Sequence, residues 1–116
     1  MIKPVEPRMY VIVRKDLDQT YRMVQGAHAL AAYTMDYPDR AREWNNEYLI
    51  FLGTFLEANL EKLFLDLMQY SDEMEGFGFP IAVFKEPDQK DQLTAIAVFE
   101  DGKGHVSKLL KHLPLA

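Results

Sequence analysis

Met9-Tyr10-Val11-Ile12-Val13 is an uninterrupted apolar run rich in β-branched residues, and it constrains the architecture more than any other part of the chain. Such a run, without polar alternation, is typical of a strand covered on both faces of a sheet. The polar segment Arg14 to Gln19 follows as a turn, and 21–35 has a helical pattern whose small residues allow close packing. The run therefore predicts a central strand with a helix packed directly on its sheet.

The remaining segments alternate between strand and helix patterns. Strand patterns occupy 48–55, 81–84 and 93–99, and helical patterns occupy 40–46, the stretch from Asn59 through Met68, and 106–113 before Pro114. Because parallel strands need crossover connections, the order βααβαββα predicts a three-layer α/β/α domain with a four-stranded mixed sheet. We expect residues 1–116 to form this one domain.

Single residues add local expectations. Asp18 or Thr20 is placed to cap the first helix, and Asn59 to cap the third. Gly53 indicates a bulge or a close backbone approach inside the second strand. The segment 73–80, which contains two glycines and a proline, is expected to be a loop.

The composition excludes several classes of function. The 116 residues contain no cysteine, which excludes thiolate metal sites and cysteine nucleophiles. The first residues, Met1 to Pro7, lack the apolar core of a secretory signal, and no run approaches the roughly 20 apolar residues of a membrane span, so we expect a cytoplasmic protein with no membrane partner. A net charge of −5 disfavours non-specific nucleic-acid binding, so an RNA partner would need a local basic patch.

The turn and helix after the first strand are the first candidate site, because ligands of open α/β sheets bind outside the carboxyl ends of strands and beside helix N-termini. Arg22, Gln25 and His28 follow at intervals of three and would share one polar helix face, able to bind an anion or orient a carbonyl. Alternatively, Arg22 and Gln25 are solvated surface residues and His28 is an ordinary helix histidine.

A second candidate lies at the corner Glu86-Pro87-Asp88, where two carboxylates near a strand end could act as a general base or hold a cation. Thr94 could direct its hydroxyl toward the same edge. Both features also suit an ordinary surface turn and ordinary strand packing. His105 and His112, without nearby acids, make a poor metal site, and Trp44 with nearby tyrosines fits either base stacking or a core or dimer interface.

Two motifs together resemble a known family. Tyr10-Val11-Ile12-Val13-Arg14-Lys15-Asp16-Leu17, followed by Val24-Gln25-Gly26-Ala27-His28-Ala29, is similar to the opening strand, R-x-D-L turn and A-A-Q-x-x-H-A helix of type II peptidyl-tRNA hydrolases. The order of the later elements is also similar to that family's four-stranded mixed sheet with helices on both sides. The resemblance implies an enzyme that cleaves the ester between a peptide and the 3′ ribose of tRNA, as a homodimer without cofactor or metal.

The resemblance also implies roles for individual residues. Catalytic roles fall on His28, Asp88, Thr94 and Gln25, with a water activated near Asp88 and His28, and substrate-binding roles fall on Arg14, Lys15, Asp16 and Arg22. The family's G-K-G-K loop is replaced here by the shorter Asp18-Gln19-Thr20-Tyr21, with Tyr21 at the place of the lysine regarded as catalytic. In this reading Arg22 or Lys15 supplies the missing positive charge.

Two other functions remain open. The absent lysine loop and the acidic balance favour a non-catalytic binding or regulatory module that keeps the fold. A protein–protein adaptor is a third possibility, and it requires a large exposed apolar patch around Trp44.

Overall fold

The computed structural model describes residues 2–74 and 78–116. Its elements are β1 (Arg8–Arg14), α1 (Gln19–Asp36), α2 (Pro38–Trp44), β2 (Tyr48–Thr54), α3 (Glu57–Glu73), β3 (Ile81–Glu86), a short 3-10 turn (Pro87–Gln89), β4 (Gln92–Glu100) and α4 (His105–Leu110). The strands form one sheet in the order β2-β1-β4-β3, in which β1 is parallel to β2 and antiparallel to β4, and β3 is antiparallel to β4. The predicted α/β fold with a four-stranded mixed sheet is therefore confirmed.

The sheet is buried on both sides, as the unbroken apolar run of β1 predicts. Tyr10 and Ile12 face a cluster formed with α3 and α4, while Val11 and Val13 face a second cluster formed with α1 and α2. All of these side chains are buried, Tyr10 included. Burial on both faces explains why β1 shows no polar alternation.

Several predicted boundaries shift by a few residues. Asp18 is the cap of α1, and its carboxylate accepts the N–H of Tyr21 at 3.3 Å. Asn59 is not the cap of α3 but lies within its first turn, where its Oδ1 accepts the N–H of Leu56 at 3.1 Å. The second helix ends at Trp44 rather than 46, because Asn45 adopts a left-handed conformation with φ of 56°.

Two glycines allow close approaches. A Cβ on Gly26 would lie 2.6 Å from Cε2 of Phe51, so the bare backbone lets α1 pack directly on the sheet. A Cβ on Gly53 would lie 2.5 Å from Cγ of Lys15, whose stem crosses the strand there. Gly53 thus marks a close approach, and the register shift of the sheet lies in the β3–β4 pair instead.

The surroundings of Trp44 and the segment 73–80 are also predicted from the sequence. Trp44 is 6% exposed and its indole N–H donates to the carbonyl of Tyr48 at 2.8 Å, so its own side chain adds little to any exposed surface there. Part of the predicted loop 73–80, namely 75–77, lies outside the described residues. Among the described residues, no helix is long and apolar enough to cross a membrane.

Candidate functional site

One edge of the sheet gathers the residues that the sequence singles out. Strands β1, β2 and β3 all end at this edge and β4 begins there, because β4 alone runs antiparallel to the others. Helices α1 and α3 also begin there, each shortly after the strand that precedes it. This arrangement places strand ends and helix N-termini together, as in other α/β ligand sites.

A β-bulge turns Thr94 toward α1. Phe84 pairs with Ala95 and Lys85 with Leu93, so Thr94 is the extra residue of β4. Its hydroxyl lies 2.7 Å from Oε1 of Gln25 and 3.2 Å from the carbonyl of Phe84, and donates to these acceptors. Thr94 is fully buried, and this bond fixes the amide of Gln25.

The amide of Gln25 in turn holds a carboxylate. Gln25 is 1% exposed, so the alternative that it is a solvated surface residue is wrong, and its Nε2 donates to Oε2 of Glu86 at 2.9 Å. The bond from Gln25 lowers the pKa of the Glu86 carboxyl, and the backbone N–H of Asp88, the charge of His28 and the hydroxyl of Tyr21 act in the same direction. Glu86 is therefore a preorganised, ionised carboxylate.

His28 is the fourth member of this group. Its ring stacks on Phe84 with centroids 4.4 Å apart and an interplanar angle of 12°. The residue is exposed, and within 2–74 and 78–116 neither ring nitrogen has a hydrogen-bond partner. The imidazole is thus held by stacking while its nitrogens stay open to solvent and to a ligand.

Asp88, the predicted catalytic acid, lies on the 3-10 turn rather than in this chain of hydrogen bonds. Its residue is exposed, and its backbone N–H donates to Oε1 of Glu86 at 3.3 Å. Within the described chain its carboxylate has no bond to His28 or Gln25. The carboxylate that bonds to Gln25 is Glu86, which strand alternation with Ala82 and Phe84 places on the face toward α1.

Arg14 and Asp16, which are predicted to bind substrate, form a salt bridge with each other. The guanidinium donates twice to the carboxylate, with Nε–Oδ1 at 3.0 Å and Nη2–Oδ2 at 2.7 Å. It also donates to Oε1 of Gln92 at 3.0 Å and the carbonyl of Leu93 at 3.3 Å. The pair connects the end of β1 to the start of β4.

The two remaining predicted cations, Arg22 and Lys15, do not take part in the Thr94–Gln25–Glu86 hydrogen bonds. Arg22 donates to the carbonyl of Leu17 at 3.2 Å and to that of Lys15 at 3.3 Å, so it stabilises the β1–α1 turn. The side chain of Lys15 crosses Gly53 on the β2 side of the edge. Tyr21, at the place of the family's lysine, hydrogen-bonds Glu86 instead.

The described residues contain no group of three or more His, Asp or Glu side chains placed to hold a metal ion. No protein-family model matches the chain, and no curated protein is similar to it. A solved structure of a protein of unknown function from Agrobacterium tumefaciens is similar over 97% of this chain and 98% of its own, with a TM-score of 0.61 and 15% identity. That likeness supports the fold alone.

Proposed function

We propose that this chain is an ester hydrolase of the type II peptidyl-tRNA hydrolase class, which cleaves the ester between a peptide and the 3′ ribose of tRNA. The observation that carries the proposal is the chain of hydrogen bonds Thr94–Gln25–Glu86, which ends beside His28 at the strand-end edge. The motifs of β1 and α1 that resemble this family supply two of these four residues, Gln25 and His28.

The chemistry assigns a role to each side chain. His28 accepts a proton from water as the water oxygen bonds to the acyl carbon, and Glu86 stabilises the resulting imidazolium. The bond between the acyl carbon and the ribose oxygen then breaks, and the ribose oxygen takes up the proton from the imidazolium of His28, which restores the neutral ring. Gln25, held by Thr94, positions Glu86. In this proposal Glu86 takes the role that the sequence analysis gives to Asp88.

The test is release of tRNA from purified peptidyl-tRNA. We expect kcat to fall about 100-fold or more in His28→Ala and in Glu86→Gln, because general acid–base groups contribute roughly 10²–10⁴-fold. Asp88→Ala should retain activity within a few-fold, and Asp39→Asn, an exposed residue of α2, is the matched control. Equal loss in Asp88→Ala and Glu86→Gln would contradict the assignment to Glu86.

A second candidate is a binding module without turnover. The engagement of Arg14 with Asp16 and of Arg22 with backbone carbonyls favours it, as does Tyr21 in place of a lysine. Here Glu86 and His28 would bind a ligand instead of activating water. A folded wild-type protein that releases no tRNA would establish this function over the hydrolase.

The assembly and location follow from the same proposal. We expect a cytoplasmic homodimer, and the exposed Tyr48 and Leu49 at the start of edge strand β2 suit a contact between two copies. Light scattering coupled to size exclusion should then give twice the chain mass. A mass equal to one chain at micromolar concentration would exclude the dimer.

A further inference from the structure

A cleft of about 310 Å³ lies on the other side of the strand-end edge from His28. It opens between the end of β2, the first half of α3 and the last residues of the chain. Its apolar wall includes Phe55, Leu63, Leu113 and Pro114. This volume is at the lower end of the range for small-molecule pockets, so a ligand of about one ring would fill it.

The wall of the cleft contains a buried hydroxyl without a partner. Thr54 is 6% exposed, and its Oγ1 has no hydrogen-bond partner among the described residues. Leaving a buried hydroxyl unpaired costs roughly 1–3 kcal/mol, so such groups usually have a partner. Because Thr54 lines the cleft, a rotation about its χ1 bond that turns Oγ1 toward the cleft would let a ligand supply one.

The charged groups of the cleft favour an anion. Lys15, Lys62, Asp66 and His112 line it, and Lys62 is already paired with Asp66 at 3.0 Å. Within the described chain Lys15 forms no ion pair, and its stem lies over Gly53 because that position has no Cβ. Lys15 therefore carries an uncompensated positive charge beside an apolar wall.

We propose that this cleft binds a small organic carboxylate with an apolar body. Lys15 receives the carboxylate, Thr54 donates its hydroxyl to a carboxylate oxygen, and the body packs on Phe55 and Leu113. The proposal does not depend on the hydrolase proposal, because none of these residues belongs to the Thr94–Gln25–Glu86 chain.

The probe is benzoate, titrated into the full chain and followed by the amide resonances of residues 53–55 and 113–115, with benzamide as the neutral analogue. We expect saturable shifts at these positions and binding at least about tenfold weaker for benzamide, because a charge-assisted hydrogen bond contributes roughly 1.5–3 kcal/mol. Lys15→Met, which keeps the stem, should weaken benzoate binding by a similar factor. Thr54→Val should weaken it several-fold.

Lys108→Met, on α4 outside the cleft, is the matched control and should bind benzoate like the wild type. The proposal is overturned if benzoate gives no saturable shift in the folded protein. It is equally overturned if the shifts fall around His28 and Phe84, or if Lys15→Met binds as well as Lys108→Met. Loss of peptidyl-tRNA turnover has no bearing on these results.

Discussion

Glu86 and Asp88 stand two residues apart, yet their environments differ completely. Glu86 is the last residue of β3 and receives donors from Gln25, Tyr21 and the backbone of Asp88, while the Asp88 side chain is exposed on the following turn. A carboxylate fixed by several donors costs less reorganisation during a reaction than one free in solvent. Position on the strand therefore favours Glu86 as the functional acid.

The Arg14–Asp16 pair should make the free energy of unfolding depend on pH. The hydrogen bond from Arg14 lowers the pKa of the Asp16 carboxyl, so its contribution to stability is complete above the unfolded value of about 3.9 and is lost as pH falls through the folded value. Asp16→Asn should lower the free energy of unfolding by about 1–2 kcal/mol at pH 7. Urea denaturation should show this difference narrowing by pH 3; a constant difference would contradict it.

At the scale of elements, the β-bulge in β4 connects the sheet to α1. Without the extra residue, strand alternation would direct the side chain of Thr94 toward α3, since Ile96 and Val98 face that helix. With the bulge, its hydroxyl reaches Gln25. One inserted residue therefore lets β4 join the hydrogen-bond network that links α1 to β3.

This geometry predicts that Thr94→Val is more damaging than Thr94→Ser. Valine leaves Oε1 of the buried Gln25 without its donor, which should lower the free energy of unfolding by about 1–3 kcal/mol. Serine keeps the hydroxyl and should cost about 1 kcal/mol or less, the loss of one buried methyl group. Thermal or urea unfolding measures both, and equal losses would show that the methyl group, not the bond, matters.

At the scale of the whole molecule, charge limits how the proposed tRNA substrate would be bound. The net charge is −5, and two of the four predicted substrate-binding residues, Arg14 and Asp16, neutralise each other. Of these four residues, only Lys15 and Arg22 are left as cations for phosphate contacts.

The proposed hydrolase should therefore depend weakly on salt. Each phosphate contact contributes roughly 0.7–0.9 to the slope of log(kcat/KM) against the logarithm of the salt concentration. With about two such contacts, kcat/KM should fall about tenfold or less between 50 and 200 mM salt. Measurement of tRNA release across this range tests it. A fall of about 1,000-fold would require six or more phosphate contacts and would contradict the prediction.

The sequence alone determined the architecture, because apolar periodicity is a local property. The unbroken run of β1 predicts burial on both faces, the spacing of Leu60, Leu63 and Leu67 predicts α3, and the structure confirms both. Helix ends were less accurate, since capping depends on the backbone conformation of single residues such as Leu56 and Asn45.

Only the tertiary structure decided which side chains meet at the candidate site. Gln25 reaches Glu86 across 61 residues and Thr94 across 69; the first contact depends on the packing of α1 against β3, and the second on the bulge in the β3–β4 pair. No local pattern contains that register, because a shift by one residue reverses every side chain of a strand. The sequence therefore determined the sheet and its helices, whereas the packing of α1 against β3 and the bulge of β4 decided that Glu86 and Thr94, rather than Asp88, bond to Gln25.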